Sequence, residues 1–172
     1  MSIPEIIEKL QNKYGDDILE VTEFRGDHWV RVNPDIHYEL MEMLFREFDF
    51  NLLSDIVGVD YPRREERTEI IYNLYSLKTH QRIFVKIRAG GKIAPRSVSD
   101  IWATADWLER EVFDMLGVQF TNHPDLRRIL MRDEFPGHPL RKDFKLTSDE
   151  VDFGVPIRTK SPYGDIEEDR LE

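Results

Sequence analysis

The feature that most limits how this chain can fold is a strict alternation in the segment RIFVKIR, residues 82–88. Ile83, Val85 and Ile87 occupy one side of an extended backbone, and Arg82, Lys86 and Arg88 occupy the other. A period of two is the signature of a strand with one covered and one wet face, and it is incompatible with an amphipathic helix. Thr68–Leu77 is similarly β-rich, and Thr79-His80-Gln81 supplies a turn between the two runs, so the pair reads as a β-hairpin. Such a sheet needs something to cover its apolar face.

The covering elements are legible on both sides of the hairpin. Ser2, Pro4 and Glu5 make a helix start, Ile6, Ile7, Leu10 and Tyr14 follow at helical spacing, and Gly15 is a stop. Ile18–Phe24 and His28–Val32 form a second hairpin around Arg25-Gly26-Asp27. Asn33-Pro34 reads as the cap of a second helix, whose apolar face is Ile36, Leu40, Met43 and Leu44 and whose end is near Phe48. Leu52–Tyr61 is a further strand, in which Gly58 marks a bulge or a close approach. Pro62–Arg67 is a charged loop, and Ser97 is the expected N-cap of a third helix running from Val98 to Leu116, with Gly117 as its stop.

The implied class is α+β: a mainly antiparallel sheet of about four to five strands with three helices packed against it. Residues 1–145 form this domain. Residues 146–172, rich in Asp and Glu and punctuated by Pro156, Pro162 and Gly164, form an extended tail that a partner would have to order.

Composition narrows the function. The chain has 172 residues, no cysteine and a formal net charge of −10. Without cysteine there is no disulfide, thiolate catalysis or cysteine-ligated cluster. The charge disfavours nucleic acid as a partner. No apolar run is long enough to span a bilayer, and the N-terminal stretch MSIPEIIEKL lacks a signal-peptide core, which implies a cytoplasmic protein. No glycine-rich phosphate loop, dinucleotide fingerprint or nucleophile elbow is present.

The chemistry-bearing residues are concentrated between Ser97 and Phe144. On a helical projection Ile101, Ala105, Leu108, Val112, Met115 and Leu116 form an apolar arc with Glu109 inside it. A carboxylate on a core face requires a partner, and the expected one is Arg127, Arg128, Arg132 or Arg141. Trp107, Arg110 and Asp114 project to the opposite, polar face, and Glu111 to its edge. A tryptophan there is expected where a helix meets another surface. Arg110 also makes ordinary i,i+4 pairs with Asp106 and Asp114, which merely solubilise many helices. His123-Pro124 and Gly137-His138-Pro139 favour extended or turn backbone, and their spacing matches no helical metal-ligand pair. Arg127, Arg128, Arg132, Arg141, Lys142 and Lys145 make a local basic cluster, whose counterpart is an acidic protein surface or the chain's own carboxylates.

The run SVSDIWATADWLEREVFDMLGVQFTNHPDLRRILM followed by GHPLRKDF resembles the signature region of the 30 kDa subunit family of respiratory complex I. This is the C subunit family of NADH–quinone oxidoreductase, related to the plastid and cyanobacterial J subunits. The resemblance implies a cofactor-free, non-catalytic peripheral-arm subunit of a proton-translocating complex, held peripherally on the cytoplasmic side of the inner membrane. Its implied partners are complex I subunits D (the 49 kDa-like, quinone-site chain), B and I; FMN and iron–sulfur clusters in the partners carry electrons from NADH to quinone. Glu109, Arg110, Glu111 and Asp114 match the family's acidic helix. His123, Pro124, Arg127 and Arg128 match its middle motif, and Gly137, His138, Pro139, Leu140, Arg141, Lys142 and Asp143 its closing motif. The resemblance implies structural and docking roles for all of them. The final run SPYGDIEEDRLE does not match the aromatic stretch found in many members' tails. The alternatives are an equivalent subunit of an energy-converting hydrogenase or other-donor dehydrogenase, an autonomous acid–base or metal-assisted enzyme using Glu109, Glu111, His123 and His138, or a nucleic-acid module on Arg127–Lys145.

Overall fold

A computed structural model describes residues 1–91 and 93–145; the tail expected over 146–172 lies outside them. The fold is α+β, with three α-helices and a five-stranded sheet. Helix α1 (Ile3–Tyr14) starts where Glu5 reaches back to accept the Ser2 amide at 2.9 Å. A short 3₁₀ turn follows, then strands β1 (Ile18–Phe24) and β2 (Asp27–Val32). Helix α2 (His37–Phe48) precedes β3 (Leu52–Asp60), β4 (Thr68–Ser76) and β5 (Gln81–Ala89), and α3 (Ala105–Leu116) closes the series.

The strand order is β1-β2-β5-β4-β3. Both hairpins are antiparallel, β3 pairs antiparallel with β4, and β2 runs parallel to β5 with Val30 opposite Val85. That central parallel seam makes the sheet mixed. It joins strands far apart in sequence, which local patterns do not reveal.

The alternation in β5 behaves as expected: Ile83, Val85 and Ile87 are fully buried, beside Ile70, Tyr72 and Leu74 of β4. Leu10, Leu40, Met41 and Leu44 complete the core from α1 and α2. On the opposite face Trp29 stacks on Phe84 at 3.9 Å, and Lys86 sits 4.3 Å above the Trp29 ring. Gly58 is a close approach: a Cβ there would run into the side chains of Leu116 and Val112, so glycine lets α3 lie close against β3.

Two helix starts differ from expectation. Asn33 does not cap α2; its carboxamide donates to Asp17 at 3.0 Å and accepts from the Asp35 amide, and the helix begins at His37 after this turn. Ser97 does not cap α3, which begins at Ala105. Ser97 Oγ instead accepts from the Ser99 amide at 3.1 Å, a local bond that competes with helix. Trp102 then anchors the segment, donating its indole N–H to the Phe50 carbonyl at 3.2 Å.

Candidate docking site

Helix α3 is the framework of the site. Thr104 precedes its first residue, and Gly117, at φ 80°, ends it in the left-handed region. His138 lies against Gly117 so closely that a Cβ would stand 2.6 Å from its ring. The helix is buried on its β3 side, and its polar side is half covered by the chain's own segment 121–144.

That cover corrects the expected position of two residues. Arg110 is 6% exposed and Asp114 is fully buried, although the projection puts both on the outward face. Arg110 Nε donates to the Arg127 carbonyl at 3.2 Å, and its guanidinium lies 4.8 Å from the Trp107 ring centre. Asp114 organises the middle motif. Its Oδ2 accepts the amides of Ile129, Leu130 and Met131 at 3.0, 2.8 and 2.8 Å. Its Oδ1 accepts from Arg128 at 2.8 Å, and Arg128 also donates to the carbonyls of Phe135 and Gly137. Burial alone would raise the Asp114 pKa, but these four donors together hold it below the usual carboxylate range.

Glu109 is fully buried as expected, but its partner is not an arginine. Its Oε1 accepts the Val98 amide at 2.8 Å, and Ser97 adds a side-chain bond. The carboxyl therefore ties α3 to the turn before it. Burial pushes its pKa up to about 7, against the opposing pull of Ser97 and Val98. A projection identifies a buried carboxylate but cannot see backbone donors, and Arg128 is already engaged by Asp114.

His123 has a fully buried side chain. Its Nδ1 accepts the Asp125 amide at 3.1 Å, so the ring proton sits on Nε2 and donates to the Asp106 carbonyl at 3.1 Å. Glu109 Oε2 is 3.9 Å from that Nε2. His138 instead engages the Asp114 carbonyl through Nδ1 at 2.9 Å. Glu111 is exposed on α3. Of the four residues of the acid–base alternative, Glu109 and His123 are thus neighbours in the buried interior, while His138 is engaged elsewhere and Glu111 lies on the surface. Among the described residues no group of three or more His, Asp or Glu side chains could hold a metal ion.

The closing motif is fixed by two residues that sequence reasoning passes over, Asp60 at the end of β3 and Arg67 just before β4. Arg67 bridges Asp60 and Asp143, reaching Asp143 at 2.6 and 2.8 Å. Asp60 Oδ2 also accepts the Lys142 amide at 2.7 Å. The Arg67 guanidinium holds Asp60 below the usual carboxylate range. A strand ending in Asp, with an Arg opening the next strand, is the available signal. Leu140 donates its amide to the Met115 carbonyl at 3.0 Å, and Arg141 lies 3.4 Å from Asp143. Gly137 adopts φ 89° beneath the Phe144 ring.

The result is an irregular segment tethered at many points to α3 and to the β3–β4 junction. Its outward side chains and those beside it are strongly exposed: Trp107 at 62%, Leu130 at 57% and Leu140 at 61%. Arg127, Pro124 and Lys142 are exposed on the same segment, and Pro139 is half-buried. Large apolar side chains held out on a preorganised backbone suit protein recognition better than turnover of a small substrate.

Residues 30–150 match the family described as respiratory-chain NADH dehydrogenase, 30 kDa subunit. The NADH-quinone oxidoreductase C subunit of Geotalea uraniireducens is 44% identical over 139 residues, covering 80% of this chain and 85% of that protein. That of Geobacter sulfurreducens is 46% identical over 142 residues, covering 80% and 86%. Among solved structures, a trypsin-resistant fragment of Nqo5 superposes with TM-score 0.64 at 31% identity, covering 73% of this chain and 100% of the fragment. A chain of the membrane-bound sulfane sulfur reductase, an archaeal respiratory membrane complex, superposes with TM-score 0.70 at 27% identity, covering 83% and 85%. The buried Glu109 and Asp114, and the two motifs that Asp114 and Asp60 pin down, therefore belong to a member of the respiratory-chain NADH dehydrogenase 30 kDa subunit family.

Proposed function

We propose that this chain is a cofactor-free, non-catalytic subunit of a proton-translocating NADH–quinone oxidoreductase, and that it docks on the large, 49 kDa-like quinone-site subunit next to subunits B and I. Electrons pass through FMN and iron–sulfur clusters held by partner subunits, and the complex holds this chain peripherally on the cytoplasmic side of the membrane. Among the described residues no helix is long and apolar enough to cross a membrane. The observation that carries the reading is the division of labour in the motif region. Glu109, Arg110, Asp114, His123, Arg128, His138 and Asp143 are engaged in internal bonds that hold the backbone, while Trp107, Leu130 and Leu140 are left exposed.

Affinity purification of the chain from native membranes tests this. Recovery of a stoichiometric complex containing the quinone-site and cluster-bearing subunits is expected, and recovery only as a free monomer would contradict it. The likeness to the sulfane sulfur reductase chain supports a second reading, an equivalent subunit of a complex fed by another donor. The electron-input subunit that co-purifies distinguishes the two.

A further inference from the structure

Beside the Trp107 surface lies a cleft of about 140 Å³ between β3 and α3, bordered by Asp55 and Val57 of β3, by Glu111 of α3 and by Leu140. Three observations converge on it. First, β3 is an edge strand, with β4 on one side and no strand on the other among the described residues. The segment before α3 covers its beginning, where Trp102 and Thr104 bond to the carbonyls of Phe50 and Leu53. Beyond Leu53 the edge borders the cleft instead. Proteins commonly protect an open edge with lysine or proline or by covering it, and from Asp55 to Val59 this edge carries neither of those residues.

Second, part of the wall is apolar and uncovered: Val57 is 42% exposed and Leu140 61%. Third, two carboxylates border the cleft, Asp55 and Glu111, and neither has an ion-pair partner among the described residues. Glu111 is one helical turn beyond the exposed Trp107, so the cleft continues the surface described above. An open edge supplies backbone hydrogen bonds, apolar walls supply side-chain pockets, and unpaired carboxylates supply charge selection. Together these are the elements of strand addition.

We infer that the Asp55–Val59 edge of β3 receives an extended segment of a partner subunit as a sixth strand, and that this segment carries apolar residues and a lysine. The apolar residues face Val57 and Leu140, and the cation meets Asp55 and Glu111. The inference rests on the docking role proposed above and names how the partner is held.

Hydrogen exchange read by mass spectrometry tests it, comparing the intact complex from native membranes with the isolated full-length chain. In the complex those amides of residues 55–59 that point away from β4 should exchange at least roughly tenfold more slowly than in the free chain. Carbodiimide treatment of the complex should join Asp55 or Glu111 to a lysine of another subunit. Val57→Lys, placed at an exposed position, should reduce partner recovery roughly tenfold while leaving thermal unfolding unchanged. Equal exchange in the two states, or cross-links confined to this chain, overturns the inference while the docking role survives. Protection already present in the isolated chain overturns it in favour of a segment of the chain itself. Failure to recover any complex removes the docking role and this inference with it.

Discussion

At the scale of single residues, buried carboxylates do opposite things within two turns of one helix. Asp114 is stabilised as an anion by three amides and Arg128, whereas Glu109 has only Val98 and Ser97 and is pushed up to about 7. Replacing Asp114 by alanine strands Arg128 and three amides, and should cost about 3–5 kcal/mol in denaturant unfolding. Glu109 gives a pH signature of definite sign. Because its folded pKa lies above the unfolded value of 4.5, the unfolded state ionises first as pH rises, and stability falls between 4.5 and about 7. The full effect is about 3 kcal/mol. Glu109→Gln keeps the acceptor without the charge, so it should stabilise the chain by up to that amount at pH 8 and by almost nothing at pH 4.5. His37 works at the acid end: burial pushes it down to about 3, so stability is lost as pH falls below 6.5 towards 3. Unfolding free energies of wild type and both variants across pH 4–8 check these signs.

At the scale of elements, the contact between α3 and β3 depends on an absent side chain. Gly58→Ala puts a Cβ into Leu116 and Val112, and should cost about 1–3 kcal/mol by overpacking, measured by chemical unfolding. The same scale shows what is legible from sequence. Helix α1 is readable because its capping bond from Glu5 and its stop at Gly15 are local, and β5 because its alternation needs no partner to be seen. The start of α3 is not, because Ser97, a good cap in isolation, turns its hydroxyl to Ser99, and Trp102 is held by Phe50, about fifty residues away. Arg110 and Asp114 would indeed face outward on an isolated helix. What covers them is segment 121–144, an arrangement that helical periodicity cannot encode. Asp60 and Arg67 escape a sequence reading for the same reason, since the residue that completes their cluster is the distant Asp143.

At the scale of the whole molecule, a two-hairpin sheet covered by helices supports an irregular, highly tethered segment, and that segment presents apolar side chains outward. On the docking role proposed above, internal stability and external recognition fall to different residues, and the two should be separable by mutation. Asp114 belongs to the first class. Trp107 belongs to the second, with 62% of its surface exposed and its one described aromatic contact being the Arg110 guanidinium. The most direct measurement of this separation is Trp107→Ala, followed in parallel by thermal unfolding of the isolated chain and by recovery of partner subunits from native membranes. The predicted result is a stability change within about 0.5 kcal/mol together with a loss of partner affinity of roughly 30-fold. Unchanged recovery, or a loss of recovery matched by an equal loss of stability, would contradict the account.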